Sequence, residues 1–409
     1  MAWTQLANTS LELSTFWTTG NVFSSVSLPK TQAGNNLRSA TIDAWVSGDL
    51  DTKRGRFTFP CGGGHLDWWG NQVLAYVPTS SWKLLRTASS AYVATGSTQS
   101  SPRNLDGTPA SKHTYDTVCY MASVDKFYCG SGIYWWDGGS SPQVVWWWDP
   151  VTEQYTEKAV RPGGYASATV WDPVNNVMYL RTSAGFYSYN PLVELSAPNP
   201  SAYTLLFSQT AANTAASTLV IDTLNHRVYR IEQRSASNPN GGLKVIDLNN
   251  LQLKEKTLPT SGDVEIETGA GMAGGIVVGY APGLVFDSAS SRLVGLGPST
   301  TFSTALRSGE WAVYSAVVPQ SVSTNDNILW LRDPSGTQPQ HSSGALLSSN
   351  AVANGSHGMY KKWFAYGGTY YGIALNGMST GDVWSYTPSW AATQNILDQV
   401  TDLNIQVTT

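Results

Sequence analysis

Short apolar stretches that alternate with polar residues recur along the chain, and each pair of stretches is joined by a tight polar turn. The segments WDPVNNVMYL (171–180), IDTLNHRVYRI (221–231) and FDSASSRLVGL (286–296) share this layout, and DTKRGRFTFP (51–60) follows it too. Each begins with an apolar strand end, continues with Asp and a polar turn, and ends with an alternating strand. The pattern predicts β-hairpins in which Asp caps its own turn.

A second pattern of glycines followed by an aromatic pair recurs with the first. It occurs in CGGGHLDWWGNQVLAYVP (61–78), in CGSGIYWWDGGSSPQVVWWWDP (129–150) and in FAYGGTYYGIALNGMSTGDVWSYT (364–387). The repeat units begin at roughly residues 51, 121, 172, 222, 287 and 357. Repeats of this length are typical of solenoids or propellers.

Each unit has room for four strands, which we name A to D in chain order. In the first unit the pattern predicts Ile42–Trp45, Arg56–Phe59, Gln72–Tyr76 and Trp82–Leu85. Four strands at this period form a propeller blade. The sequence therefore predicts an all-β protein, a single β-propeller of four-stranded blades, with six blades favoured and seven as the alternative.

The first unit resembles the kelch-like β-propellers, whose marks are a glycine pair ending strand B, a Tyr on strand C and a Trp on strand D. These marks are Gly62-Gly63, Tyr76 and Trp82 here. The second unit has Gly130 and Tyr155 with Trp148 nearby, and the last has Gly367-Gly368, Trp384 and Tyr386, while the other three units have no such glycine pair. The resemblance implies a rigid interaction platform. It implies no particular activity.

A propeller closes its ring, because a free edge strand invites aggregation. Trp3-Thr4-Gln5-Leu6 resembles the D strand Trp82–Leu85, so we expect the N-terminus to supply strand D of the last blade. A strand within residues 400–407 is the competing candidate. The predicted organisation is an N-terminal closing strand and arm (1–40), the propeller (41–390) and a C-terminal strand or arm (391–409).

The longest connections fall between strands B and C or between strands D and A of successive units. We predict that the segments 86–113, 130–143, 190–203, 232–242, 297–310 and 335–350 all lie on one face of the ring. Long loops on a rigid scaffold commonly carry function. This elaborated face is therefore the one expected to bind a partner.

Composition narrows the function classes. Only 13% of the 409 residues are charged, the net charge is −4, and Trp, Tyr and Gly are abundant. The sequence has no Lys/Arg cluster, so nucleic-acid binding is not predicted. No apolar run reaches the ~20 residues that span a bilayer. This amino-acid composition, together with an N-terminus that has no signal-peptide pattern, favours a virion protein, with a secreted protein as the alternative.

The aromatic pairs Trp68-Trp69, Trp135-Trp136 and Tyr370-Tyr371 are the candidate binding residues. Exposed aromatic rings stack on sugars and anchor protein interfaces. The competing interpretation is packing between blades, and one residue of each pair can pack while the other faces outward. The run Val144–Trp148 is predicted to be strand C of the second blade, with Trp147 facing outward.

His65 and Asp67, in the first B–C loop, complete the candidate binding set. The alternative for both is a hydrogen-bonded loop anchor. We predict no metal site, because the five histidines form no ligand pair at metal-binding spacing, and the three cysteines form no CxxC motif. The string Gly377–Gly381 matches GxSxG, but a strand rather than a helix follows it, so no nucleophile elbow is predicted.

These features predict a non-enzymatic structural or interaction protein of a phage particle: a tail, nozzle, fibre-associated or decoration component. Its expected partners are other virion proteins or a host surface receptor or glycan, with assembly as a symmetric homo-oligomer a further option. We predict no catalytic residue and no cofactor. The alternative is a secreted or virion-borne propeller that binds or cleaves carbohydrate.

Overall fold

The structure, a computed structural model, forms a six-bladed β-propeller. It describes residues 3–7, 9, 42, 46–62, 70–78, 80–89, 102–130, 144–163, 167–210, 217–232, 242–262, 267–268, 271–272, 282–298, 309–318, 327–333, 340–341, 359–373, 382–388 and 390. Within this part of the chain, no helix is long and apolar enough to cross a membrane.

Each of the first three blades is an antiparallel meander in which strands A to D are neighbours in order. The strands of blade 1 are Asp49–Asp51, Arg56–Phe59, Val73–Tyr76 and Trp82–Arg86. Those of blade 2 are Val118–Met121, Lys126–Cys129, Val145–Asp149 and Gln154–Lys158. Those of blade 3 are Ser167–Asp172, Val177–Thr182, Gly185–Tyr189 and Tyr203–Ser208, with short 3₁₀ turns at Pro191–Glu194 and Pro200–Ala202.

The remaining blades keep this order, and blade 5 has two additional strands. The strands of blade 4 are Ser217–Asp222, Arg227–Glu232, Gly242–Asp247 and Glu255–Thr257, with a 3₁₀ turn at Leu251–Leu253. Those of blade 5 are Gly283–Asp287, Arg292–Pro298, Gly309–Val317 and Ile328–Arg332, extended by Thr260–Gly262 beside strand D and Gln340–His341 beside strand C. Those of blade 6 are Trp363–Tyr366, Thr369–Ile373, Val383–Tyr386 and the N-terminal strand Trp3–Gln5. Glu267–Thr268 and Gly271–Met272 form a separate small hairpin.

The N-terminal strand closes the ring, as the sequence predicts. Trp3–Gln5 pairs antiparallel with strand C of blade 6, and Trp3 lies opposite Tyr386. Thr9 extends this closure into blade 1, because its carbonyl accepts a 2.7 Å hydrogen bond from Trp82 Nε1. The competing segment 400–407 lies outside the part of the chain that the structure describes. So do most of the predicted N-terminal arm and all of the predicted C-terminal segment 391–409.

The apolar core consists of six clusters, one between each pair of neighbouring blades. Between blades 6 and 1, for example, Phe57 stacks on Phe364 with ring centroids 4.5 Å apart. Both faces of a blade are thus covered by neighbours. This explains why strand B of blade 4, Arg227–Glu232, is buried at every position although its sequence alternates.

The Asp residues that begin the A–B turns cap them as predicted. Asp172 Oδ1 accepts the backbone N–H groups of Val174 and Asn175, and Asp222 Oδ1 accepts those of Leu224 and Asn225. Since a strand must run directly into each turn, strand A of blade 1 is Asp49–Asp51. The prediction of Ile42–Trp45 for this strand is wrong.

Two further predictions of register are wrong. Gly367-Gly368 forms the A–B turn of blade 6, with φ of 58° and 76°, and does not end strand B as Gly130 does. Segment 190–203 joins strands C and D of blade 3, so it lies on the face opposite the other long connections. In both cases the composition of a connection does not show which two strands of the blade it joins.

The kelch-like order of aromatic residues holds in blade 1, where Tyr76 lies on strand C and Trp82 on strand D. In blade 2 the order is reversed, with Trp148 on strand C and Tyr155 on strand D. Trp147 is also buried, contrary to the prediction, because the face of blade 2 on which it lies is covered by blade 3.

Candidate functional site

The structure describes two of the eight predicted binding residues. His65, Asp67, Trp68 and Trp69, together with Trp135 and Trp136, lie outside the described residues. Tyr370 and Tyr371 lie on strand B of blade 6.

Tyr370 and Tyr371 point to opposite faces of their blade, and both pack between blades. Tyr370 is 3% exposed and stacks on Trp363 with centroids 5.5 Å apart. Tyr371 is half-buried and stacks on Phe364 at 5.3 Å. In this arrangement the rings fill the wedges on either side of blade 6, and Tyr370 is not accessible to a ligand.

The innermost strands surround a central cavity of about 320 Å³, which we call the channel. The side chains that line it are mainly apolar and come largely from the A strands of blades 1, 3, 4, 5 and 6. The charged lining residues are Asp49 and Lys361. We name the faces of the ring by their connections: the loop face has the B–C and D–A connections, and the turn face has the A–B and C–D connections.

Two matching dipeptides meet at the loop-face end of the channel. Tyr115-Asp116 precedes strand A of blade 2, and Tyr360-Lys361 precedes strand A of blade 6. Both tyrosines have left-handed backbone, with φ of 49° and 44°, and their rings meet edge to face at 6.3 Å. Strained backbone of this kind persists only where the surroundings hold it in place. Here the side chain of Lys361 reaches blades 2 and 3, and that of Asp116 reaches blade 4.

Lys361 connects three blades at this point. Its Nζ donates to the Val118 carbonyl of blade 2 and, at 3.0 Å, to Thr169 Oγ1 of blade 3. Burial alone would lower the pKa of Lys361, but the nearby Asp49 and Asp116 carboxyl groups raise it above its ordinary value. This shift favours the charged form of the Lys361 ammonium group.

Asp49 and Asp116 accept backbone N–H groups from the inner edges of A strands in other blades, blade 2 for Asp49 and blade 4 for Asp116. Asp49 Oδ2 accepts the backbone N–H of Tyr120 at 2.8 Å, and Asp116 Oδ2 accepts that of Leu219 at 3.2 Å. Each bond joins one blade to another. An inner edge strand has no strand partner for these N–H groups, so a buried acceptor stabilises it.

Burial raises the pKa of both carboxyl groups and outweighs the attraction of Lys361. The pKa of Asp116 reaches about 8, and that of Asp49 is also raised. Asp116 Oδ1 is buried without a hydrogen-bond partner among the described residues, which agrees with a group that carries a proton near neutral pH.

The chemistry of this cluster is structural. The two carboxyl groups accept backbone N–H groups of other blades, and Lys361 donates to a carbonyl and a hydroxyl. Among the described residues, no group of three or more His, Cys, Asp or Glu side chains is placed to hold a metal ion. The sequence reasoning missed Asp49, Asp116 and Lys361, because a single charged residue before a strand has no motif by which to find it.

The turn face exposes several large apolar side chains. Of the fourteen exposed large apolar residues in the described part of the chain, nine lie at this face: Val151, Val174, Leu192, Val193, Leu195, Leu224, Leu253, Val317 and Tyr366. Six of the nine belong to blades 3 and 4 and form the aliphatic sector of the face.

The turns of blades 1 and 2 are charged by contrast. Arg54 forms a bidentate pair with Asp125 across the two blades, and Lys126 pairs with Asp149 at 2.6 Å. The turn face thus combines an aliphatic sector with a polar one. Protein interfaces commonly have this composition.

No protein-family model matches the chain, and no curated protein matches it. Among the solved structures that are similar to the chain is the structure of YjhT, with a TM-score of 0.40 and 11% sequence identity, over 66% of this chain and 81% of that chain. Similarity at this level carries no argument about activity. The strand pairing of the chain itself establishes the six-bladed propeller.

Proposed function

We propose that this chain is a non-enzymatic structural and interaction protein of a phage particle, in which the kelch-like ring is a rigid platform for other proteins of the particle or for the host surface. The aliphatic sector of the turn face is the observation that carries this proposal. Contiguous exposed apolar side chains on a folded protein commonly mark an interaction site.

The channel supports the same function. The side chains that line it are mainly apolar, and its charged residues join blades through backbone groups and a hydroxyl. A glycoside hydrolase instead needs two carboxyl groups that face a substrate across open space. Carbohydrate binding by Trp68 or Trp136 is the alternative, and these residues remain candidates for it.

The first test asks where the protein occurs. Particles purified on a density gradient from a lysate of the source culture are analysed by mass spectrometry. We expect peptides of this chain at a constant ratio to the major particle proteins. Their presence in host cytosol alone, or in culture medium without particles, would contradict the proposal.

The second test asks which face binds. A tagged Val174→Glu/Leu224→Glu double variant competes with the wild type for incorporation into particles, and Leu105→Glu on the loop face is the matched control. We expect incorporation to fall at least about tenfold for the double variant, as for loss of interface anchors, and to stay unchanged for the control. A glycan array on the recombinant ring, with Trp68→Ala and Trp136→Ala, tests the alternative.

A further inference from the structure

Two of the three cysteines lie together between blades 1 and 2. Cys129 is the last residue of strand B in blade 2, and Cys61 lies two residues beyond strand B of blade 1. Both side chains are fully buried and belong to the same cluster. The third cysteine, Cys119, belongs to the cluster between blades 2 and 3.

Lys112 binds the backbones of both cysteines. Its N–H donates to the Cys61 carbonyl at 3.3 Å, and its Nζ donates to the Cys129 carbonyl at 3.2 Å. Cys61 has left-handed backbone, with φ of 61°. This unusual conformation turns the chain after strand B of blade 1, and the Cys61 thiol comes within hydrogen-bonding reach of the Cys129 thiol and the Tyr155 hydroxyl.

The surroundings make the two thiols unequal. Burial alone would raise the pKa of Cys61, but the hydrogen bond with Cys129, the Lys112 charge, the Tyr155 hydroxyl and the Arg86 charge together lower it below its ordinary value. Burial raises the pKa of Cys129. The surroundings thus favour the thiolate form more at Cys61 than at Cys129. Attack by one thiolate, followed by reaction with a neighbouring thiol, is the route by which a cysteine pair is oxidised.

We propose that Cys61 and Cys129 form a disulfide that joins blade 1 to blade 2 when the protein meets a hydroperoxide. The Cys61 thiolate attacks one peroxide oxygen and the O–O bond breaks, which gives a sulfenic acid and hydroxide. The Cys129 sulfur then attacks the Cys61 sulfur and the S–O bond breaks. The second hydroxide leaves, and protonation of both hydroxides gives two waters. The two thiols lose two electrons, and the peroxide gains them.

Wild-type protein, purified under reducing conditions and freed of reductant, is treated with hydrogen peroxide, denatured, and labelled with a maleimide. We expect one labelled thiol instead of three, a Cys61–Cys129 peptide in a non-reducing digest, and full recovery of label after dithiothreitol. This arm needs no variant, so it does not depend on whether a substitution folds.

Three single variants assign the pair. After oxidation, the Cys119→Ala variant should have no thiol left for the maleimide, because Cys61 and Cys129 form the disulfide. The Cys61→Ala and Cys129→Ala variants should form no cross-link, and each should keep its two thiols or carry one of them as sulfenic acid. Retention of three labels in the oxidised wild type would overturn the proposal. A cross-linked peptide that contains Cys119 would overturn it as well.

Discussion

Trp3, near the start of the chain, lies directly opposite Tyr386 in strand C of the last blade, and their ring centroids are 4.9 Å apart. Trp3 is 6% exposed and also contacts Trp363 and Trp384. A strand from the first residues is thus the fourth strand of blade 6. Its loss would leave strand C as a free edge.

We expect Trp3→Ala to lower the free energy of unfolding by about 3–5 kcal/mol, the usual cost of removing a buried aromatic side chain. Thr4→Ala is the matched control, because the Thr4 side chain is exposed on the same strand. Urea denaturation followed by tryptophan fluorescence measures both. Equal stabilities for the two variants would mean that the strand does not close the ring in solution.

Asp116 gives the ring a pH dependence. Its folded-state pKa of about 8 lies above its ordinary value of 3.8, so the folded state retains a proton that the unfolded chain releases. This contribution to stability is complete below the ordinary value and is lost as the pH rises through about 8. Asp116→Asn keeps an uncharged acceptor for the Leu219 N–H and removes the titration.

We therefore expect the wild type to lose more stability than Asp116→Asn between about pH 5 and pH 9, on the scale of about 1.4 kcal/mol per unit of pKa difference. Asp106→Asn is the control: although burial opposes it, hydrogen bonds from Ser89 and Thr108 lower the pKa of Asp106, so its titration lies at acidic pH. Urea titrations at both pH values measure the slopes. Identical slopes for the wild type and Asp116→Asn would contradict the assignment.

Glu255 neutralises two buried arginines between blades 3 and 4. It accepts Arg230 Nε at 2.7 Å and Arg181 Nη2 at 3.1 Å, and although burial opposes it, these charges lower the pKa of Glu255 to about 2. We expect Glu255→Gln to cost about 3–5 kcal/mol of stability, because it removes the carboxylate that pairs with buried Arg181 and leaves Glu232 as the acidic partner of Arg230.

Glu157 offers a matched surface pair, since its partner Arg103 is half-exposed. Glu157→Gln should cost about 1 kcal/mol or less. Chemical denaturation of both variants in the same buffer provides the comparison. Similar losses would show that burial does not set the strength of the Glu255 network.

The predicted aromatic pairs separate into packing and binding residues by the same kind of measurement. Tyr370→Ala should lower the unfolding free energy by about 3–5 kcal/mol, because the ring is buried against Trp363. Trp136→Ala should leave stability within about 0.5 kcal/mol if Trp136 is an exposed binding residue. A large loss for Trp136→Ala would instead identify it as a packing residue.

Much of the fold was predictable from local patterns. The Asp-initiated turns and alternating strands predicted four-stranded blades, their number, and the N-terminal strand that closes the ring. These features depend on short-range physics: an Asx side chain caps its own turn, and a strand with apolar alternation pairs with the strand after the turn.

Register and burial were less predictable. Gly367-Gly368 has the composition of a strand-ending glycine pair but forms an A–B turn, and Trp147 was expected to face outward but is covered by blade 3. Alternation assigns a residue to one side of a strand. In a propeller both sides of a blade are buried, so alternation does not separate interior from surface.

The sequence by itself determined the repeating strand–turn units and the six-bladed ring, because each unit is specified by contacts between residues close along the chain. Only the tertiary structure decided that Lys361 meets Asp49 and Asp116 at the channel, that Cys61 meets Cys129, and that aliphatic turns of blades 3 and 4 share one face. Each of these groups joins residues from separate units or turns. Their proximity is set by closure of the ring and has no counterpart in the local order of the sequence.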